Sequence, residues 1–206
     1  MNVLYCFITH RSELNADIIS ISEMCLYNKI SDYIIVCGAN DKSYMDNNIL
    51  YLDCDDTYEG LPDKIYKMFK FVTSNIKLST YKFYAKLDRK INLVQPIDVD
   101  LLEGDYGGKV VRVKEHCDGN RTWHIGKCSA NSKWSVKKYE GKFVPWCDGG
   151  DGYILSNHAA NIVANNPPNH DEDIYEDQYV AQKLLNNNII PYKIQKLTSF
   201  FYDKDK

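Results

Sequence analysis

One acidic and two basic side chains follow a short alternating run near the middle of the chain. The run at residues 82–88 ends at Asp88, and Arg89 and Lys90 come directly after it. A carboxylate at a strand end suits a divalent cation such as Mn²⁺ or Mg²⁺, whereas arginine and lysine match phosphate. Three interpretations stay open: a metal bound at Asp88, an anion neutralised directly by Arg89 or Lys90, or bases that only face solvent in an inactive protein.

A pair of acids near the carboxyl end, Glu176 and Asp177, is a candidate for acid–base chemistry. A carboxylate close to a substrate hydroxyl takes its proton as the oxygen attacks. A second acidic pair occupies residues 172–173. Acids are also common in the first turn of a helix because they suit its dipole, so a purely structural role is the alternative.

Residues 148–153 bring three glycines and two acids together just after Trp146. Glycine lets a ligand approach the backbone closely, so Gly150 and Asp151 are candidates for substrate contacts, with a plain tight turn as the alternative. Trp146 is a candidate for stacking on a ligand ring or for the core.

The stretch TWHIGKCS at residues 122–129 is distinctive in composition. Its His124 or Lys127 could contact phosphate, although a lone histidine is more often structural.

Composition and charge exclude several classes of protein. The 206 residues are 44% hydrophobic and 26% charged, which is typical of one soluble globular domain. The net charge of −3 and the scattered bases argue against a nucleic-acid partner. No apolar segment approaches the roughly 20 residues of a membrane helix, so we expect no membrane span.

The seven cysteines form no C-x-x-C pair, which disfavours a zinc site, and several lie in apolar strand-like runs. A reducing compartment is therefore expected. The amino terminus lacks the pattern of a signal peptide, and the sequence predicts a cytoplasmic protein.

Strand and helix patterns alternate in the first half of the chain. Buried strands are predicted at residues 2–9, 32–38, 48–54 and 82–88, and helices at residues 13–29 and 61–75. This order predicts an α/β fold with a mainly parallel sheet, in which ligands bind beyond the carboxyl ends of the strands.

The second half of the chain is less regular. Strands are predicted at residues 109–113 and 152–156, a helix at 157–166 capped by Ser156 or Asn157, and a helix at 172–188.

Four segments, taken in order, resemble motifs of the β-1,3-galactosyltransferases and related glycosyltransferases of the GT-A type. Residues 53–64 resemble D-x-x-D-x-Y-x-N-L-T-x-K, with Gly60 and Pro62 in place of Asn and Thr. Residues 84–93 resemble the strand end K-x-D-D-D, with Arg89 and Lys90 in place of the last two acids.

The other two matching segments lie in the second half. Residues 145–156 resemble C-x-G-x-G-Y-x-L-S with a shifted cysteine, and residues 176–189 resemble E-D-V-Y-V-G followed by a helix. The second match places Tyr179 and Val180 at the family's positions, which favours Glu176 and Asp177 over the acids at 172–173.

The resemblance implies a GT-A, Rossmann-like fold in a single domain, residues 1–206. Residues 1–95 would form the nucleotide-binding half and residues 96–206 the donor-sugar and acceptor half. It also implies transfer of a sugar from a nucleoside-diphosphate donor, UDP-linked, to a hydroxyl of a glycan or glycoprotein. Inversion with a carboxylate base is expected, and Mn²⁺ or Mg²⁺ is the family's usual cofactor.

The resemblance also assigns roles to individual residues. The general base would be Asp177, with Glu176 beside it. Nucleotide contacts would come from Thr9, His10, Arg11, Asp56, Lys64, Asp88, Arg89 and Lys90, each with a structural alternative. Contacts with the donor sugar or acceptor would come from Trp146, Gly150, Asp151 and His124. Asp88 would be the metal ligand, and the bases at 89 and 90 leave metal dependence open.

With no membrane span expected, the resemblance implies a large-virus or bacterial member of the family, acting in the host cytoplasm if viral.

The rival enzyme is a retaining transferase on the same fold. The rival from another class is a non-catalytic nucleotide- or carbohydrate-binding module. A redox protein is disfavoured because no G-x-G-x-x-G follows the first strand. The catalytic interpretation requires Asp88 and Asp177 to share one cavity.

Overall fold

The computed structural model describes residues 2–112, 119–195 and 197–203. This part of the chain contains the helices α1 (Leu14–Tyr27), α2 (Leu61–Ser74), α3 (Asn157–Ala164) and α4 (Glu176–Leu185). The strands of the first half are β1 (Val3–Ile8), β2 (Tyr33–Cys37), β3 (Tyr44–Asp46), β4 (Ile49–Tyr51), β5 (Phe83–Asp88) and β6 (Ile91–Leu93). Those of the second half are β7 (Tyr106–Gly108), β8 (Val110–Val111), β9 (Trp146–Cys147), β10 (Tyr153–Ser156), β11 (Tyr192–Lys193) and β12 (Phe201–Asp203).

Eight of these strands form one sheet in the order β11-β7-β10-β5-β1-β2-β4-β3. Its centre is parallel, because β1 pairs in parallel with β2 and β5, and β2 with β4. Strand β10 lies antiparallel between β5 and β7 and joins the two halves of the chain. The predicted α/β fold with a mainly parallel sheet and flanking helices is confirmed.

Alternate residues of β1 supply the two faces of the sheet, as the period of a strand requires. Leu4, Cys6 and Ile8 pack into the core under α2, α3 and α4. Tyr5 and Phe7 pack into the core that holds α1, β6 and β12. A strand buried on both faces reads as a continuous apolar run, which is why β1 could be recognised from the sequence.

The strands and helices predicted in the first half match β1, α1, β2, β4, α2 and β5, and the short strands β3 and β6 are additions. In the second half, β10 and α3 also match. The Ser156 Oγ accepts a hydrogen bond of 3.1 Å from the Ala159 amide, so Ser156 rather than Asn157 is the cap. The strand predicted at 109–113 is limited to β8, and residue 113 lies outside the described residues.

The predicted start of the last helix at residue 172 is wrong, because α4 begins at Glu176. The backbone of Tyr175 is extended, with ψ of 118°, and its side chain is buried. The amides of Glu172 and Asp173 both bond to the Asn169 carbonyl in a turn, at 2.9 and 2.7 Å. The polar residues before Tyr175 are therefore used in a turn rather than a helix.

Within the described ranges, no helix combines the length and the apolar character that crossing a bilayer requires.

Candidate active site

A cavity of about 700 Å³ opens where β5 ends and α4 begins. Its acidic lining consists of Asp88, Asp148, Glu176 and Asp177. Its basic lining consists of Lys86, Lys109 and Lys127. Aromatic side chains complete the wall: Tyr58, Trp123, Phe143, Trp146 and Tyr175. Carboxylates, cations and aromatic faces thus converge in one concave site, as polar-ligand pockets require.

A buried lysine connects the two elements that meet at the cavity. The Lys86 Nζ lies 2.7 Å from Asp88 Oδ1 and 2.7 Å from Glu176 Oε1. It also donates to the Gly149 carbonyl at 3.0 Å. Burial alone would lower the pKa of Lys86, but Asp88 and Glu176 raise it above its usual value. Lys86 is therefore a permanent positive charge beneath the cavity.

Glu176 is the buried partner of this lysine. Its Oε2 accepts a hydrogen bond of 3.2 Å from the Tyr153 hydroxyl, and its Oε1 forms the ion pair with Lys86. Burial raises the pKa of Glu176, and Lys86 opposes that rise. A Cβ at Gly149 would lie 2.5 Å from Oε1, so only glycine fits there without displacing Glu176. We call Lys86, Asp88, Gly149, Tyr153 and Glu176 the Lys86 cluster.

Asp177 stands beside the Lys86 cluster and faces the cavity. Its Oδ2 accepts from the Gly149 amide at 3.3 Å and its Oδ1 from the Gln178 amide at 2.8 Å. Burial, followed by the negative charge of Glu176, raises the pKa of Asp177 to about 7. A carboxyl with this pKa exchanges a proton readily at neutral pH, which suits a general base or acid.

Six candidates from the sequence line this cavity: Asp88, Lys127, Trp146, Gly150, Glu176 and Asp177. The required shared cavity for Asp88 and Asp177 is therefore present. Asp151 lies at the margin, where its carboxylate pairs with Lys109.

The residues predicted at the end of β1 form a separate group. We call Thr9, Arg11, Gly38, Asp56 and Lys64 the Asp56 cluster. The Asp56 carboxylate accepts from the Gly38 amide at 3.1 Å, from the Arg11 amide and from the Lys64 ammonium. Lys64 also donates to the Thr9 carbonyl at 3.1 Å and is 1% exposed. The Lys64 ammonium therefore makes contacts inside the protein and does not face solvent.

The exposed side chains near the Asp56 cluster belong to His10 and Arg11. The His10 Nδ1 lies 3.0 Å from the Asp56 carbonyl, and the Arg11 guanidinium lies 4.9 Å from the centre of the Tyr51 ring. Neither residue lines the cavity, and their contacts with a nucleotide stay predictions.

Arg89 is directed away from the cavity. Its Nε lies 2.8 Å from Asp17 Oδ2 and its Nη2 lies 2.8 Å from Glu13 Oε2, so it pairs with the start of α1. Lys90 is exposed on the following turn. The structure does not place either base in the cavity lining. The pairs of Arg89 with α1 argue against its predicted phosphate contact, and that of Lys90 stays a prediction.

His124 does not reach the cavity. It is 0% exposed, its Nδ1 lies 2.7 Å from the Tyr175 hydroxyl, and its Nε2 lies 2.8 Å from the Lys137 carbonyl. Its ring also packs edge-on against Trp134. Because both ring nitrogens are used internally, the predicted substrate contact of His124 is corrected to a structural role.

The donor set at the end of β5 does not fit a divalent cation. The Oδ1 of Asp88 is already 2.7 Å from the Lys86 ammonium, and Arg89 and Lys90 occupy the next two positions. In the part of the chain that the structure describes, no three His, Cys, Asp or Glu side chains are arranged to hold a metal ion.

Lys86, Lys109 and Tyr153 are the site residues that the sequence analysis missed. A signal for Lys86 was available, because the alternation of residues 82–88 places it on the same face of β5 as Tyr84 and Asp88. A charged residue between two such neighbours, inside a buried strand, needs a carboxylate partner.

A family model described as galactosyltransferase matches residues 28–196. The matched range contains the Lys86 cluster, Lys127 and Asp177, and it includes every residue that lines the cavity. No curated protein matches the chain at a significant level.

Proposed function

Because the chain belongs to the galactosyltransferase family, and is therefore a glycosyltransferase that uses a donor and an acceptor, we propose a specific reaction for it. It transfers a sugar from a nucleoside-diphosphate donor, UDP-linked, to a hydroxyl of a glycan or glycoprotein. The transfer inverts the anomeric carbon, and Asp177 is the general base.

The observation that carries this proposal is the position and state of Asp177. Its carboxyl lines the same cavity as Asp88, and burial beside Glu176 raises its pKa to about 7. A base in this range is ionised in a large fraction of molecules at neutral pH and still accepts a proton effectively.

In the reaction, the acceptor oxygen forms a bond to the anomeric carbon while the bond to the diphosphate oxygen breaks. The acceptor proton moves to Asp177, and the bonding electron pair leaves with the diphosphate. The negative charge that develops on the leaving diphosphate must meet a positive group in the cavity. Lys86 opposes the rise in the pKa of Glu176 that burial causes, and no lysine pairs in this way with Asp177 among the described residues.

The test measures transfer and hydrolysis for a panel of UDP-sugars that includes UDP-galactose. For Asp177→Asn we expect kcat/KM to fall about 10² to 10⁴-fold, because the amide cannot accept the proton. UDP affinity should stay within about twofold of the wild type. The configuration of the product, read by NMR, should be inverted.

The matched control is Asp171→Asn, which removes an exposed carboxylate paired with Lys133 on the surface. It should leave turnover unchanged. Wild-type turnover in Asp177→Asn would reject the assigned base. Nucleotide binding by the wild type without turnover of any donor would indicate a binding module.

A further inference from the structure

The lysines of the cavity differ in how their charge is compensated. Lys86 pairs with Asp88 and Glu176, and Lys109 pairs with Asp151. Across the described residues, Lys127 has no carboxylate within ion-pair distance. Its ammonium lies over two aromatic rings instead. Lys127 is therefore the cavity lysine whose charge remains available to a ligand.

The loop that carries Lys127 holds the ammonium in place. The Lys127 Nζ lies 3.5 Å from the centre of the Trp123 ring and 5.5 Å from the centre of the Tyr58 ring. The Lys127 amide bonds to the carbonyl of the buried His124 at 3.0 Å. Partial burial also lowers the pKa of Lys127. A nearby anion would oppose that shift.

We infer that Lys127 is the cation that binds the diphosphate of the donor, in the role that the family's usual metal would fill. Trp123 and Tyr58 position it. The inference rests on the proposed function and names the group that offsets the charge on the leaving diphosphate. Arg89 is a weaker candidate because Glu13 and Asp17 already compensate its charge. An ammonium fixed in a partly dry cavity stabilises developing charge better than one in water.

The experiment is calorimetric titration in EDTA with UDP, GDP and ADP, followed by the parent nucleoside of the tightest binder. For Lys127→Ala we expect diphosphate affinity to fall about tenfold to a hundredfold, as for a lost charge-assisted contact. Affinity for the nucleoside should stay within about twofold. Lys127→Arg should retain most of the diphosphate affinity because it keeps the charge.

The matched control is Lys70→Ala, since the Lys70 ammonium also lies over a ring, 5.4 Å from the centre of Tyr66, but outside the cavity. It should bind like the wild type. Wild-type diphosphate affinity in Lys127→Ala would overturn the inference, as would an equal loss of nucleoside affinity. Wild-type protein that binds none of the three diphosphates, or that binds tenfold more weakly in EDTA than with Mn²⁺, would overturn it too.

The two proposals fail in different ways. Diphosphate binding that depends on Lys127, without sugar transfer by the wild type, removes the proposed reaction and leaves the inference standing. Sugar transfer by the wild type, with unchanged diphosphate binding in Lys127→Ala, removes the inference alone.

Discussion

The Asp56 cluster and the Lys86 cluster contain the same pair of residue types, a buried lysine and a carboxylate, but they differ in what surrounds the pair. Each buries a lysine that is 1% exposed against a carboxylate and a backbone carbonyl. In the Asp56 cluster, the carboxylate also receives the amides of Gly38 and Arg11. Beside the Lys86 cluster stands a second carboxyl, Asp177, whose donors are two backbone amides and which faces the cavity.

The pKa values of the two aspartates separate these roles. Burial would raise the pKa of Asp56, but Lys64 and the backbone amides outweigh it and hold the pKa below its usual value. Burial and Glu176 raise the pKa of Asp177 to about 7. A lysine and several amide donors stabilise the ionised form of a carboxylate and lower its pKa. A buried carboxylate with fewer donors has a raised pKa and exchanges its proton nearer neutral pH. The comparison supports the proposed role of Asp177 as a base, and the nucleotide contacts of the Asp56 cluster stay predictions.

The largest expected difference between the clusters concerns their lysines. Lys86→Met should destabilise the fold by about 3 to 5 kcal/mol, because it leaves Glu176 buried without its counter-charge. Lys64→Met should cost less, about 1 to 3 kcal/mol, because two amides still bond to Asp56. Urea unfolding at pH 7 measures both values.

The double variant Lys86→Met with Glu176→Gln is the control for this comparison. Removing both charges should recover most of the lost stability. Equal losses of unfolding free energy for Lys64→Met and Lys86→Met would contradict the prediction, because the carboxylates of the two clusters would then depend equally on their lysines.

The second prediction concerns the pH dependence that Asp177 imposes. Because its folded pKa is raised from 3.8 to about 7, its contribution to stability is present in full below pH 3.8. That contribution is lost as pH rises through 7. Asp177→Asn should therefore be more stable than the wild type at pH 8, by up to about 4 kcal/mol, with little gain at pH 4.

Activity should change in the opposite direction over the same window, since the base must be ionised. The wild-type kcat/KM should rise as pH increases from 6 to 8. Thermal unfolding tests the predicted change in stability, and kcat/KM measured at the same pH values tests the predicted change in activity. A stability gain in Asp177→Asn that is the same at pH 4 and pH 8 would mean that the carboxyl does not titrate in this window.

The smallest expected effect belongs to Arg89. Its pairs with Glu13 and Asp17 are partly open to solvent, so Arg89→Gln should cost about 1 kcal/mol or less. Affinity for nucleoside diphosphates should not change. A tenfold loss of that affinity would show that Arg89 leaves α1 and turns to the ligand.

The first half of the fold could be predicted because its elements are decided locally. β1 and β2 are apolar runs with polar ends, and the apolar stripe of α2 follows the helical period. The short strands β6, β7, β9, β11 and β12 could not be predicted. Each has only two or three residues, and its pairing depends on partners far along the chain.

The acids Asp88, Glu176 and Asp177 of the site were predicted, whereas Lys127 was the one candidate among its lining lysines in the described residues. Glu176 and Asp177 carry a motif with an assigned role. Lys86 also stands in a motif, at residues 84–93, but its role depends on its partner Glu176, 90 positions later in the sequence. The stretch with His124 and Lys127 shows the same limit. Both were candidates, and only the fold separates the buried ring from the lysine in the cavity.

The pairing of β6 with β12 has a consequence for biosynthesis. Phe201 lies opposite Leu93 and Asp203 opposite Ile91, so the turn after Asp88 is braced by residues about 110 positions downstream. A ribosome delivers the amino-terminal part first, and the strands around β1 have their neighbours early. The β6–β12 pair beside Asp88, in contrast, cannot form until residues 201–203 have been synthesised.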